Sequence, residues 1–243
     1  MRLAVIGDPV DHSASPALHR RFLAEAGLAG TYEAIRVAAG DGARAIDELR
    51  ARGYTGLNVT TPLKEEAFAR AERRDAAALA SGSVNTLLLG ETVRGLNTDG
   101  TGALGALRDE GLRELGGARL LVLGTGPTAR AVCAALTAAG AATFVWSRSA
   151  ERARAVAATV GAHAFETADP AARFDAIFSA LPPGAFPDDE TVRAHLRRAP
   201  LVIDANYGER STLGRALGRP VVDGAAMLLH GARASFEAFR AAT

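Results

Sequence analysis

The chain is 243 residues long, with 28 Lys+Arg against 27 Asp+Glu, a net charge of +1, 48% hydrophobic and 23% charged residues. That length suits one large α/β domain or two smaller ones, and the composition is that of a globule with a sizeable core, not a disordered or collagen-like chain. A balanced charge with no basic run argues against nucleic-acid binding, and the single Cys133 excludes an internal disulfide framework or a multi-cysteine metal site.

The chain opens on a short apolar run, residues 3–6, that meets Gly7 at once. It is too short for a signal peptide, and no later stretch approaches the ~18 apolar residues of a membrane span. A cytoplasmic location without a membrane partner is expected. Further strands are predicted over 32–37, 56–59 and 84–89, then over 120–123, 143–146, 176–178, 201–204 and 221–222. Helical spacing of apolar residues falls on 16–26, 43–52 and 128–139. Alternating β and α segments with short connections predict parallel sheets flanked by helices. The loops change character near residue 100, which divides the chain into an N-terminal α/β domain, 1–100, a Rossmann-type domain, 101–224, and a C-terminal helix, 225–243. In that helix Met227, Leu228, Ala232, Phe236 and Phe239 fall near helical spacing.

The strand at 120–123 runs into Gly124-Thr125-Gly126-Pro127-Thr128-Ala129 and then a helix. This fits a dinucleotide fingerprint with alanine in its third position. Gly124 permits the tight turn, Gly126 lets backbone approach a pyrophosphate, and Ala129 permits close helix–strand packing. The helix N-terminus adds N–H donors and a positive dipole end, though Pro127 removes one donor. An ordinary glycine-containing βα turn is the plain alternative. The following strand ends in Ser147-Arg148-Ser149, with Arg152 close behind and the first carboxylate, Glu151, already inside the helix. An acidic residue there would serve an NAD ribose, whereas arginines accommodate a 2′-phosphate, so NADP(H) is the expected cofactor. Solvated helix-start arginines are the plain reading of Arg148 and Arg152.

Three polar clusters lie at strand ends in the first domain. In residues 7–16, Ser13 and Ser15 sit at a helix start opened by Pro16, suited to hold a carboxylate or merely to cap the helix. Residues 58–64 carry Thr60 and Lys64 just beyond Pro62, where a lysine reaches across a cleft or simply meets solvent. Residues 95–100 place Asp99 before a helix, as a functional carboxylate or a cap.

In their order these clusters resemble the shikimate dehydrogenase family. The matching pieces are His12-Ser13-x-Ser15-Pro16, Asn58-Val59-Thr60-x-Pro62-x-Lys64, Val84-Asn85-Thr86 and Asn97-Thr98-Asp99-Gly100. The nucleotide loop, the Ser147–Arg152 stretch, Asp204…Tyr207…Thr212 and Asp223-Gly224…Met227-Leu228 also fit. The resemblance implies a two-domain enzyme reducing 3-dehydroshikimate to shikimate with NADPH. It implies Lys64 as acid–base residue with Asp99 as partner, and Ser13, Ser15 and Tyr207 on the substrate carboxylate. Thr60 and Asn85 would bind ring hydroxyls, and Gly224 and Met227 would lie at the nicotinamide. A cation that donates a proton suits a carbonyl turning into an oxyanion as hydride arrives.

The departures are specific. The family's glutamine in Met-Leu-x-x-Gln spacing is Gly231, its Asn-Ala-Thr is Ser179-Ala180-Leu181, and the second glycine of a Gly-Gly pair is Pro127. The chain also stops about one helix short of usual family length. These changes spare the chemistry residues: Gly231 bears on ring-hydroxyl recognition and hence the exact substrate, Ser179-Ala180-Leu181 alters a polar pair near the cofactor, and Pro127 lies in the nucleotide loop. Two rivals follow: a paralogue acting on quinate or an aminated shikimate, and a non-catalytic NADP(H)-binding protein, against which Lys64 and Asp99 together argue. Asp11, His12 and Ser13 are neighbours with diverging side chains, unsuited to a hydrolase triad. The five histidines lack ligand spacing, so no metal is expected. Cys133 is expected to be a packing residue, and Trp146, at a strand end, either packs or lies beside an adenine. A monomer or homodimer is expected.

Overall fold

The computed structural model describes residues 1–166, 169 and 171–242. It divides into two compact units: Met1–Gly102 together with the segment from Leu228 onward, and Ala103–Met227.

In the first unit the order is β1 (Arg2–Gly7), α1 (Ser15–Glu25), β2 (Thr31–Arg36), α2 (Gly42–Ala51), β3 (Gly56–Val59), α3 (Lys64–Arg70), β4 (Arg73–Arg74), α4 (Ala76–Ser81), β5 (Thr86–Leu89) and β6 (Val93–Leu96), followed by α5 (Asp99–Asp109), which starts in this unit and passes into the second after Gly102. The sheet of the first unit runs β2-β1-β3-β5-β6-β4. The expected parallel pairing holds for β1 with β2 and β3, and for β4 with β6. It fails at β5, which is antiparallel to both neighbours. The reason is local: only Gly90-Glu91-Thr92 separate β5 from β6, which is enough for a hairpin and far too little for a parallel crossover. Leu3, Ala4, Val5 and Ile6 of β1 are buried on both faces, which is why that strand reads as a continuous apolar run.

The second unit carries β7 (Arg119–Leu123), α6 (Pro127–Ala138), β8 (Ala142–Trp146), α7 (Ala150–Val160), β9 (His163–Ala164), β10 (Ala176–Ser179), α8 (Glu190–Arg198), β11 (Leu201–Asp204) and α9 (Leu213–Leu217). Its sheet, β11-β10-β7-β8-β9, is parallel throughout. This is a doubly wound order, and its reversal point lies between β7 and β10, where such sheets bind ligands. The strand expected over 221–222 is reduced to one bridge, Ile203 with Val222. Cys133 and Trp146 are buried core residues, and burial pushes the Cys133 thiol up to about 12.

The last helix, α10 (Ala225–Ala241), crosses the unit boundary. From Leu228 onward it belongs with the first unit, where Phe236 joins Phe22, Leu23 and Ala232, and Phe239 joins Leu3, Val5 and Tyr32. No helix among the described residues is long and apolar enough to cross a membrane, and none of their His, Cys, Asp and Glu side chains cluster as metal ligands.

Candidate active site

Four chain segments meet at one edge of the first sheet. β1 and β3 are parallel, so the loops after them, carrying Ser13, Ser15, Thr60 and Lys64, emerge on the same side. β6 runs antiparallel to β5 and so delivers Thr98 and Asp99 to that edge as well. Asn85 precedes its strand and arrives there because β5 is reversed. Its carbonyl accepts the Val59 N–H at 2.8 Å, and its N–H donates to the Leu96 carbonyl at 3.1 Å.

The centre of this edge is an ion pair. Lys64 Nζ contacts Asp99 Oδ2, with the two side chains 11% and 13% exposed. Lys64 opens α3, where a cation opposes the helix dipole, whereas Asp99 opens α5, where an anion is favoured. The carboxylate therefore supplies the stabilisation that the position of Lys64 lacks. Asn85 Nδ2 donates to Asp99 Oδ1 at 2.6 Å, and Asn85 Oδ1 accepts the Thr98 N–H at 2.9 Å. Asn97 Oδ1 accepts the Asp99 N–H at 3.0 Å, and its amide is tied to Ser81 and Ser83.

Of the other predicted residues, Ser13 Oγ accepts the Ser15 N–H at 3.3 Å, so the two serines form one turn at the start of α1. Thr60 stands in the turn before Lys64, its carbonyl accepting the Leu63 N–H at 2.9 Å, but its hydroxyl does not join the Lys64–Asp99–Asn85 group. Gly231 on α10 also faces this group. A Cβ there would meet the Thr98 carbonyl at 3.4 Å, an ordinary contact, so the position accepts a side chain.

Lys64 carries a signal that motif reading passes over. It is the only lysine in 243 residues; all the other Lys+Arg positions are arginine. Arginine stays protonated and cannot release a proton at neutral pH, whereas an ammonium can. A chain that uses arginine everywhere else keeps lysine at this one position.

In the second unit, Gly124 follows β7 at the switch point with φ +116°, a backbone region closed to other residues, and a Cβ would also crowd the Ala180 carbonyl at 3.1 Å. Gly126 caps α6, which starts at Pro127, and Ala129 is fully buried beneath the turn. Arg130, which motif reading did not single out, donates to the Thr125 carbonyl at 3.3 Å and holds the loop. After β8, Ser147 Oγ accepts the Ser149 N–H and Ser149 Oγ accepts the Arg152 N–H, each at 3.3 Å. Arg148 and Arg152 are exposed, and neither side chain has a hydrogen bond or ion pair among the described residues. A positive helix start at the switch point with two uncommitted guanidiniums fits a phosphorylated dinucleotide. Met227 is buried in the core of this unit. Gly224 lies so close to the chain at Ala205 that a Cβ would stand 2.2 Å from its carbonyl oxygen, which explains the glycine by packing. Tyr207 sits between Asn206 and Ser211, and both of these are bonded to the buried carboxylate of Asp204, at 2.8 and 3.1 Å.

Comparison with known proteins follows the same division. Residues 5–87 match the shikimate dehydrogenase substrate binding domain, and residues 119–208 match a family described as NADP oxidoreductase, coenzyme F420-dependent. A shikimate dehydrogenase (NADP(+)) of Methanothrix thermoacetophila is 36% identical over 241 residues, covering 96% of this chain and 89% of that protein. The chain belongs to the shikimate dehydrogenase family. Matches to several other curated members are local, spanning 49–63% of their lengths. Among solved structures, the shikimate 5-dehydrogenase of Thermus thermophilus, in complex with NADP(H) and shikimate, aligns with TM-score 0.85 and 33% identity over 99% of this chain and 94% of its own. An Ael1 enzyme from Pseudomonas putida aligns with TM-score 0.88 and 26% identity over 99% and 93%.

Proposed function

We propose that this chain is an NADP-dependent shikimate dehydrogenase, catalysing the reversible reduction of 3-dehydroshikimate to shikimate. The observation that carries the reading is the buried Lys64–Asp99 pair, held by Asn85 in a chain with no other lysine. Bound NADPH supplies the hydride to the C3 carbonyl carbon. Lys64 stabilises the negative charge that develops on the carbonyl oxygen and delivers a proton to it, giving the hydroxyl; solvent then reprotonates the amine. Asp99 keeps the ammonium aimed, its second oxygen fixed by Asn85. In the oxidation direction Lys64 takes the proton back.

Ser13 and Ser15, at the first turn of α1, suit the substrate carboxylate. Thr60 and Asn85 suit ring hydroxyls. Arg148 and Arg152 suit the 2′-phosphate, with Ser147, Ser149 and the loop Gly124–Ala129 completing the dinucleotide site. A monomer or homodimer acting in the cytoplasm is consistent with this reading. The deciding experiment measures NADP⁺ reduction with shikimate, quinate and aminoshikimate side by side. Turnover of shikimate alone supports the assignment, a preference for quinate or the amine points to a paralogue, and cofactor binding without turnover points to a binding protein.

A further inference from the structure

Tyr32 lies in β2 and is 1% exposed, yet its hydroxyl has a partner. It donates to Asn58 Oδ1 at 2.7 Å. A phenol has one proton to give. Here that proton goes to Asn58.

Direction then propagates along the site edge. Asn58 turns its oxygen to Tyr32 and therefore its amide hydrogens to Thr86 Oγ1 at 3.2 Å. Thr86 passes its own proton to Asn85 Oδ1 at 3.0 Å. The Thr98 N–H, a backbone donor that cannot reverse, meets that same oxygen at 2.9 Å. Both ends of the chain of bonds agree on which way round Asn85 sits, and its Nδ2 is left for Asp99. From Tyr32 to Asp99 every bond runs one way.

We propose that Tyr32 is a positioning residue for the Lys64–Asp99 pair, its hydroxyl setting the direction of the bonds that present Asn85 to Asp99. The proposal rests on the reading of Lys64 as proton carrier. Phenylalanine would fill the same volume and keep the ring stacked 4.3 Å from His19, so packing alone does not call for a phenol. A buried hydroxyl must recover in hydrogen bonds what it loses in hydration, and here the bond it donates leads to the site.

The test is Tyr32→Phe, with Thr86→Val as a second, near-isosteric break in the same series. Each should lower kcat about three- to tenfold, the worth of one neutral hydrogen bond. The KM for shikimate should change far less than kcat in Tyr32→Phe, because the lost bond orients the Lys64–Asp99 pair; general loosening would raise KM as kcat fell. Losses in Tyr32→Phe/Asn58→Ala should not exceed those of Asn58→Ala alone. A readout independent of turnover exists because the chain has one lysine. Protein carrying isotope-labelled lysine gives a single side-chain signal, which should move in Tyr32→Phe and stay in place in Arg197→Ala, a surface ion-pair variant of the other unit. The proposal is overturned if kcat and the lysine signal both stay at wild type in Tyr32→Phe, or if the double-variant losses multiply. Should Lys64→Ala keep its turnover, the proton-carrier reading fails separately, and the lysine signal still decides whether Tyr32 orients the pair.

Discussion

Asn85 donates to one oxygen of Asp99 at 2.6 Å while Lys64 holds the other, so the carboxylate is fixed from both sides. A pair anchored in this way aims its ammonium without needing a third charged group. Rotation of the Asp99 carboxyl would break both contacts at once, which makes the direction of Lys64 a property of three residues from three segments.

Replacing Lys64 should therefore affect chemistry more than binding. Lys64→Ala is expected to lower kcat by about 10²–10⁴ with a much smaller change in shikimate KM. Lys64→Arg should be nearly as slow, since it keeps the charge but has no proton to give. Steady-state kinetics of the two variants check this, and near-normal turnover in either would place the proton transfer elsewhere.

Cofactor choice is expected to follow Arg148 and Arg152. A charge-assisted hydrogen bond contributes about 1.5–3 kcal/mol, so losing one arginine should weaken discrimination against NADH by roughly 10- to 100-fold. Kinetics of Arg148→Ala and Arg152→Ala with both nucleotides provide the measurement. An unaltered NADPH/NADH ratio in both variants would remove the 2′-phosphate assignment.

Acid stability should depend on His19. Its ring is fully buried against Tyr32, Phe22, Phe236 and Phe239, neither nitrogen has a hydrogen-bond partner, and burial lowers its pKa from 6.5 to about 3. The unfolded chain takes up a proton below pH 6.5 that the folded chain refuses. Stability is thus complete above 6.5 and declines as pH falls toward 3, by about 1.4 kcal/mol per unit. Urea unfolding at pH 7 and 5.5 should show this decline in the wild type and much less of it in His19→Leu.

The smallest expected change is at Gly231. The Thr98 carbonyl lies at contact distance from a Cβ placed there, so the first side-chain atom of Gly231→Gln is accommodated without displacing backbone. A glutamine amide can donate to and accept from ring hydroxyls, and one such bond contributes about 0.5–1.5 kcal/mol net. Shikimate KM should fall several-fold in the variant. If kcat/KM for shikimate drops instead, other groups already fill that role.

Much of this site is legible in the sequence, for definite reasons. Lys64 and Asp99 each stand beside a turn or helix signal, and the glycine loop after 120–123 announces its own geometry. What is not legible is direction. β6 is interrupted by Arg94 and Gly95, and β4 is only Arg73 and Arg74, so neither shows an apolar period. Without β6 the hairpin is invisible, and with it the reversal of β5 that brings Asn85 to Asp99. Tyr32 reads as an ordinary strand residue because its partner Asn58 lies 26 positions away. The C-terminal helix is plain from its period, but its aromatic partners on α1 and β2 are over 200 residues distant in sequence and leave no local trace.

The reversed β5 also has a far end. Asn85 precedes it on the active edge, so Gly90-Glu91-Thr92, which follow it, turn at the opposite edge, about 13 Å away along a four-residue strand. Arg50 of α2 clamps this turn through the carbonyls of Gly90 and Glu91, at 2.7 and 2.6 Å. Foreign sequence spliced after Thr92 would leave both the clamp and the residues around Lys64 in place. A fluorescent or affinity insert at that point should ride on a working enzyme, which offers a grafting position that leaves both chain ends untouched.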